Sequence, residues 1–364
     1  MRLCGPMVDG QFSIELSHHE PAVFATILNC NHLLLLDHTG GNTMNRRALL
    51  KYSLATGATL AFGGANSNVA MGASPAQEKR KFRLDLCGGR VGIKTNQSGL
   101  IDLAQKNGFE SVEPLEWELG KLDAAKLEII NDQRKAAKLE WSAGGLSVDF
   151  RRSEEKFKKE MEGFPALCKS LQAAGVTRLG TWIMPAHDSM TYMKNFKQHA
   201  SRIKEIAKVL QQHQLRIGLE YVGTKTLWTS KRFPFVHTLR ETLELIEAIG
   251  EDNVGLTLDS WHWTMAGESA EDIGKLSNEQ IVACDLNDAP AGIDVDDQLD
   301  NQRELPMATG VIDTKAFLEA LVKIGYDGPI RAEPFNKKLN EMDNEAAATA
   351  TGDALKKAME LVGG

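Results

Sequence analysis

The chain has 364 residues, with 42 basic and 49 acidic side chains and a formal net charge of −7. This mild acidity gives no electrostatic reason to expect a nucleic-acid partner, because such proteins present a basic face. No apolar run reaches the roughly 18 residues of a membrane span, and the five cysteines, which lack CxxC or metal-type spacing, indicate neither a disulfide scaffold nor a zinc ribbon.

Residues 44–74 resemble a twin-arginine export signal. The pair Arg46-Arg47 precedes Leu49-Leu50 and Lys51, and a weakly apolar stretch of small residues follows over 52–65. Small residues near 70–73 then supply a cleavage site. The resemblance predicts a periplasmic or otherwise exported protein that has no membrane anchor once the signal is cleaved. The alternative is a basic N-terminal helix of a cytosolic protein.

Residues 1–43 contain four of the nine histidines of the chain: His18, His19, His32 and His38. A histidine cluster can bind metal, but an export signal must lie near the N-terminus to function. We therefore predict that translation starts at Met44 and that residues 1–43 are a non-native or disordered extension. The folded part then begins near Lys81 and occupies residues 81–364.

From Lys81 onward, short apolar strands alternate with helices of 3.6-residue periodicity. The predicted strands are Phe82–Cys87, Ser111–Pro114, Leu139–Gly144, Arg178–Ile183, Arg216–Tyr221, Val254–Asp259, Ile281–Leu286 and Ile330–Pro334. The clearest predicted helices are Gly99–Asn107, Glu154–Ala174, Met193–Gln212, His237–Ile249, Thr314–Ile324 and Glu345–Leu361.

The order of these elements predicts a single (β/α)8 TIM barrel. Gly108, Gly175, Gly250 and Gly325 follow helices, where glycine adopts the left-handed conformation that ends a helix. Strands that alternate with helices form a parallel sheet, and eight such units in about 280 residues match a TIM barrel. The alternative is a doubly wound open sheet, but residues 87–92 (CGGRVG) do not fit the GxGxxG turn of that fold.

Four consecutive predicted strands each end in a carboxylate: Glu220, Asp259, Asp285 and Glu333. The chemistry of a TIM barrel lies at the C-terminal ends of its strands, so these four side chains are expected to meet. Buried carboxylates are costly unless they are paired or ligate a metal, and a divalent cation would relieve their repulsion. The alternative for any single one is a cap for the following helix. Asp288, which lies past its strand, is better suited to capping or loop contacts.

The segments around these carboxylates resemble one family. LEY at Glu220, LDSWHW from Asp259 to His262, CDLND at Asp285 and AEPF at Glu333 are similar to the xylose isomerase-like TIM barrels. That superfamily includes sugar isomerases and epimerases, inosose dehydratase-like enzymes, hydroxypyruvate isomerase and endonuclease IV. The resemblance implies that the four carboxylates bind one divalent metal and that the two glutamates exchange a proton with a sugar carbon. It also implies that His262 contacts substrate.

Asp285 departs from the family pattern. The family usually carries a histidine at this position of the seventh strand, and the ligand set implied for this chain is therefore oxygen-only. Oxygen ligands favour Mn²⁺ or Mg²⁺, with Co²⁺ and Zn²⁺ as alternatives. The sequence leaves open whether Asp285 ligates a metal or marks a branch whose metal site has decayed.

Five further residues are predicted to contact the substrate. Trp182 lies at the end of the fourth strand, where its indole supplies a stacking face for a sugar, His187 follows that strand, and Glu113 ends the second strand. Lys225 could bind an anionic group of the substrate, and the alternative is an ordinary surface lysine. Arg303 resembles the arginine that reaches over the sugar in epimerases of this family.

The sequence therefore predicts a metal-dependent isomerase or epimerase that acts on a small carbohydrate, a keto-sugar or an inosose. The alternatives are a dehydratase or lyase of the same family and a non-catalytic sugar-binding barrel. A nuclease like endonuclease IV is disfavoured, because its metal cluster needs several histidines and only five lie within 81–364. A homodimer is left open.

Overall fold

The computed structural model describes residues 79–363. The predicted extension over 1–43 and the predicted signal over 44–74 lie outside the described residues. The strands in chain order are β1 (Arg83–Leu86), β2 (Ser111–Val112), β3 (Glu140–Trp141), β4 (Ala143–Gly145), β5 (Arg178–Trp182), β6 (Ala186–His187), β7 (Arg216–Glu220), β8 (Phe233–Pro234), β9 (Val254–Asp259), β10 (Ile281–Asp285) and β11 (Pro329–Arg331).

Nine of these strands form one parallel sheet in the order β3-β2-β1-β11-β10-β9-β7-β5-β4. The end strands β3 and β4 are separated in the chain by Ser142 alone, and β3 pairs with β2 whereas β4 pairs with β5. The third predicted strand is thus divided between its two neighbours, and this division closes the sheet. The predicted TIM barrel is confirmed. The short strands β6 and β8 form a separate antiparallel pair.

Helices surround the sheet. They are α1 (Gln97–Lys106), α2 (Glu116–Leu119), α3 (Ala124–Ala136), α4 (Glu154–Ala173), α5 (Tyr192–Gln212), α6 (Lys225–Trp228), α7 (Leu239–Ile249), α8 (Ser260–Met265), α9 (Ala270–Ile273), α10 (Thr314–Lys323), α11 (Lys337–Asn340) and α12 (Asn344–Met359). Six of them correspond to the helices predicted most clearly, and α3 supplies the crossover between the second and third predicted strands.

Local chemistry sets the ends of these helices. The side chains of Asn96, Asp123, Ser153 and Thr238 each accept a hydrogen bond from a backbone N–H of the first turn, which satisfies a donor that the helix leaves free. The four glycines predicted to end helices all have φ between +66° and +78°, so that prediction is confirmed. Within residues 79–363, the structure contains no helix long and apolar enough to span a membrane.

The eighth predicted strand is shorter than expected. It ends at Arg331 rather than at Pro334, so Glu333 lies two residues beyond the sheet. The backbone N–H of Glu333 donates instead to Oδ1 of Asn287, at 2.8 Å. This hydrogen bond fixes the segment that carries the Glu333 carboxylate.

Candidate active site

Four carboxylates converge at the C-terminal end of the barrel. Glu220, Asp259 and Asp285 are the last residues of β7, β9 and β10, and Glu333 follows β11. All four side chains are buried, and one oxygen from each lies within 4.8 Å of the others. The topology explains this arrangement, because the carboxyl ends of parallel barrel strands share one face.

Asp259 is held rigidly by backbone and side-chain donors. Its Oδ1 accepts from the backbone N–H of Trp261 at 2.8 Å and from Nδ2 of Asn287 at 3.0 Å. Its Oδ2 accepts from Nη1 of Arg303 at 2.7 Å. The same Asn287 orients Glu333 through its Oδ1, so one amide positions two of the four carboxylates.

Arg303 lies among the carboxylates and is only 2% exposed. Its Nη2 donates to Oδ1 of Asp300 at 2.7 Å and approaches Nε2 of His262 at 3.1 Å, and its Nε donates to the carbonyl of Asp300 at 2.8 Å. The rings of Trp261 and Phe335 lie 5.3 and 4.9 Å from its guanidinium carbon. Although burial lowers the pKa of Arg303, Asp259 and Asp300 raise it above its usual value, so Arg303 is a fixed cation of the site.

A second guanidinium neutralises Asp285. Arg331 is the cross-strand partner of Asp285 in the sheet register, and its Nε and Nη2 donate to the two carboxylate oxygens at 2.5 and 3.2 Å. A third guanidinium, that of Arg90, forms an ion pair with Oε1 of Glu333. Three of the four carboxylates therefore have an arginine partner.

Glu220 is the exception. Its buried Oε1 has no hydrogen-bond partner among the described residues. Burial raises the pKa of Glu220 well above its ordinary value, and the negative charges of Asp285 and Asp259 raise it further, against the opposing effect of Arg303. A buried carboxylate without a partner is a costly arrangement, and its retention here points to an external ligand.

His262 packs against this cluster. Its Nε2 lies 3.7 Å from Oε1 of Glu220 and 3.8 Å from Oδ2 of Asp259. Burial, followed by the charge of Arg303, lowers the pKa of His262, so its imidazole is neutral at pH 7. A neutral ring with a nitrogen near the carboxylates can serve as a hydrogen-bonding partner for a substrate hydroxyl.

Two carboxylates of the cluster, Glu220 and Glu333, line a cavity of about 400 Å³. The polar residues that line this cavity are Glu220, His262, Asp300, Arg303, Glu333 and Arg90, and the apolar residues are Trp182, Met184, Val222, Leu227 and Phe335. A lining that combines polar, apolar and aromatic side chains suits a small polyhydroxylated ring, because such rings have hydroxyl edges and C–H faces.

Three of the predicted substrate contacts line this cavity: Trp182, His262 and Arg303. Trp182 is 39% exposed, and the guanidinium carbon of Arg151 lies 4.5 Å from its ring centre. This stacking fixes the indole that faces the cavity. Arg303 contacts the carboxylates directly, a contact that sequence reasoning did not anticipate.

The other three predicted contacts do not line the cavity. Nδ1 of His187 accepts from the backbone N–H groups of Ser189 and Met190, at 3.0 and 2.9 Å. Lys225 forms an ion pair with Asp296, in which both side chains are about half exposed. Glu113 follows β2, and its backbone N–H donates to the carbonyl of Leu86. His187 and Lys225 therefore have local side-chain partners, and Glu113 is not among the residues that line the cavity.

Sequence reasoning missed four residues that organise the site: Arg90, Asn287, Asp300 and Arg331. Asn287 and Arg331 stand within the CDLND and IRAE segments that carry Asp285 and Glu333, so an inspection of the neighbours of each carboxylate would have found them. Arg90 lies in a short 3-10 helix after β1 and Asp300 in the loop after β10, and neither carries a comparable signal.

The donor chemistry of the cluster fits a divalent cation. The cluster offers carboxylate oxygens within 4.8 Å of one another, together with the unpartnered Oε1 of Glu220. Hard cations such as Mg²⁺ and Mn²⁺ prefer oxygen ligands. The residues that could hold such an ion are Glu220, Asp259, Asp285 and Glu333, and a second group that could hold one consists of Glu220, Asp259 and His262.

Fold and site together define a TIM-barrel protein with an acidic, histidine-containing centre of the kind that carries acid–base chemistry. The family model described as xylose isomerase-like TIM barrel matches residues 101–358. The chain belongs to this family.

Relatives within the family include enzymes. An inosose isomerase of Bacillus subtilis (strain 168) is 26% identical over 207 residues, which cover 55% of this chain and 69% of the relative. A xylose isomerase domain protein from Alicyclobacillus acidocaldarius is 29% identical, with a TM-score of 0.67 and coverage of 75% of this chain and 97% of that one.

A further solved structure, described as an IOLI protein with a binding zinc atom, is 20% identical over 77% of this chain and 99% of that one. Its TM-score is 0.65, and at this identity the likeness concerns the fold. The match to the curated inosose isomerases spans about two thirds of their length.

Proposed function

We propose that this protein is a metal-dependent isomerase or epimerase of a small unphosphorylated carbohydrate, a keto-sugar or an inosose. The observation that carries the proposal is the pair Glu220 and Glu333, whose carboxylates meet in a cavity that also presents His262 and a tryptophan face. The similarity to inosose isomerases supports the same class of substrate.

Proton transfer at a substrate carbon is the step that these residues perform. Glu220 and Glu333 stand on strands β7 and after β11, on either side of β9 and β10, so a ring bound in the cavity lies against both carboxylates. One removes a proton from carbon and the other returns it. A bound divalent ion would polarise the adjacent carbonyl or hydroxyl oxygen and make that C–H more acidic. Return on the opposite face gives an epimer, and return at the neighbouring carbon gives an isomer.

The remaining residues of the cavity bind the substrate and orient it. Trp182 presents its indole to the C–H face of the ring, and apolar contact of this kind contributes through burial. Neutral His262 and the rigid Arg303 lie where they can hydrogen-bond to substrate hydroxyls. Preorganised donors are effective because they need no reorganisation during the reaction.

The test is a screen of keto-sugars and inososes in D₂O with added Mn²⁺, followed by NMR. We expect one substrate to exchange a C–H proton with solvent, and we expect Glu220→Gln and Glu333→Gln each to abolish that exchange. Glu110→Gln is the control, because Glu110 pairs with Arg80 before β2, at the opposite end of the barrel. Binding without exchange would instead favour a non-catalytic sugar-binding barrel, and loss of water would favour a dehydratase.

Export through a twin-arginine signal is part of the same proposal. It is supported by Arg46-Arg47, the apolar stretch over 52–65 and the small residues that follow. We expect mass spectrometry of the periplasmic protein to find an N-terminus near Ala73, and a variant with Arg46→Lys and Arg47→Lys to remain in the cytoplasm. Periplasmic accumulation of that variant would argue against this route.

A further inference from the structure

Asp285 stands where the family resemblance implies a metal-binding histidine. In the sheet register its partner on β11 is Arg331, and its partner on β9 is Asp259. Register partners of parallel strands project their side chains to the same face of the sheet. Asp285 thus lies between Asp259, a potential metal ligand, and the guanidinium of Arg331. Its contacts show whether its oxygens are available to a metal or bind the guanidinium.

The contacts show that Asp285 binds the guanidinium of Arg331. Arg331 donates Nε to Oδ1 and Nη2 to Oδ2 of Asp285, so both carboxylate oxygens are engaged. Asp285 is completely buried and Arg331 is 4% exposed. Bidentate arginine–carboxylate pairs are directional as well as strong, and the third nitrogen of this guanidinium, Nη1, donates to the carbonyl of Ala143 at 3.3 Å.

Arg331 has a second carboxylate beside it and leaves that one unpaired. Leu84 of β1 is the register partner of Ile330 on β11, so the next residue of β1, Asp85, lies alongside Arg331. Both oxygens of Asp85 are buried without a hydrogen-bond partner among the described residues. Of the two flanking carboxylates, Asp285 alone receives the guanidinium.

No other carboxylate of the cluster binds one guanidinium through both of its oxygens. Glu220 has no guanidinium partner, and Asp259 receives a single guanidinium N–H on Oδ2 and neutral donors on Oδ1. Glu333 pairs with Arg90 through Oε1 and lies 3.4 Å from Nη1 of Arg303 through Oε2, so two separate guanidinium groups contact it. We propose that Asp285 and Arg331 form a closed ion pair that takes no part in metal coordination, and that the ion is held by Glu220, Asp259 and Glu333. This inference rests on the metal dependence proposed above.

The test is Mn²⁺ affinity, measured by isothermal titration calorimetry on the full chain without substrate. The key variant combines Asp285→Asn with Arg331→Gln, which replaces the ion pair by two neutral amides and leaves the net charge of the site unchanged. We expect its dissociation constant to stay within about threefold of the wild-type value. Asp285→Asn alone removes the bidentate partner of Arg331 and adds one net positive charge next to the ion site, and we expect it to weaken binding at least tenfold. Glu220→Gln, which removes a ligand, should weaken binding at least a hundredfold.

A loss in the double variant as large as that in Glu220→Gln would overturn the inference and leave the metal dependence intact. No Mn²⁺ binding by the wild type would refute the metal dependence itself, and the inference with it. If the double variant fails to fold, anomalous diffraction from wild-type crystals soaked with Mn²⁺ gives the answer. The inference then requires that Arg331 still engages both oxygens of Asp285, and an Asp285 oxygen in the Mn²⁺ shell would overturn it.

Discussion

Asp85 offers a test of the electrostatics of the barrel interior that does not depend on substrate. Its carboxyl is completely buried, and burial raises its pKa from 3.8 to about 7, with Glu113 adding to the rise and Arg331 opposing it. Between these two pH values the folded protein holds a proton that the unfolded chain releases. The contribution of this carboxyl to the free energy of unfolding is therefore most favourable below about pH 4 and declines as the pH rises toward 7. Above pH 7 the cost reaches about 4 kcal/mol.

Asp85→Asn removes this cost, because an amide has no charge to bury. At pH 8 we expect the free energy of unfolding in urea to rise by up to about 4 kcal/mol, and at pH 5 by less than half of that. The difference between variant and wild type should thus widen by about 3 kcal/mol between the two pH values. A variant that is no more stable than wild type at pH 8, or whose advantage is the same at both pH values, would refute this reasoning.

Asp288→Asn is the matched control, since it is the same substitution with the opposite expected sign. Although burial raises the pKa of Asp288, hydrogen bonds from the backbone N–H groups of Thr309, Gly310 and Ile312 lower it below its usual value. Its stabilising effect is present above its ordinary pKa and is lost as the pH falls through the folded value. The amide would turn a donor toward these N–H groups, and we expect a loss of about 1–3 kcal/mol at pH 8.

Three further predictions concern packing and the site. Gly255→Ala should lower the melting temperature strongly, because its Cβ would lie 2.5 Å from a backbone carbonyl oxygen, whereas Gly180→Ala, whose nearest contact is 3.4 Å, should change it little. Arg303→Met leaves Asp259 buried without its guanidinium partner and should lower the free energy of unfolding in urea by about 3–5 kcal/mol when EDTA is present. Added Mn²⁺ should restore part of this loss, and no recovery would count against metal binding. Trp182→Ala should raise KM for any substrate found, with a smaller effect on kcat, and an unchanged KM would exclude the stacking role.

The barrel was predictable because its signals are local. Each strand is a short apolar run, each crossover helix has its own periodicity, and glycines such as Gly250 and Gly325 mark helix ends with their positive φ. The convergence of Glu220 and Asp259 then follows from topology alone, since parallel strands bring their carboxyl ends to one face. No long-range side-chain information was needed for either conclusion.

The arginine partners were not predictable in the same way. Arg90 and Glu333 form an ion pair across 243 positions of sequence, and Arg303 reaches Asp259 from the loop that follows β10. Such pairs depend on loop paths and side-chain directions, which hydrophobic periodicity does not encode. For the same reason, His187 follows β5 as predicted but is the last residue of β6, and the backbone N–H groups of the next residues donate to its Nδ1.

Asp285 shows how such a pair changes the interpretation of a single position. Considered alone, an aspartate in place of a histidine adds a fourth negative charge to the cluster and implies either a harder metal or a lost site. Considered with its register partner Arg331, it adds no net charge, because the guanidinium engages both of its oxygens. Without that aspartate the buried guanidinium would lose its bidentate partner, so each residue offsets the charge of the other at the end of the barrel. The exchange of histidine for aspartate therefore need not alter the charge that Glu220, Asp259 and Glu333 present to an ion.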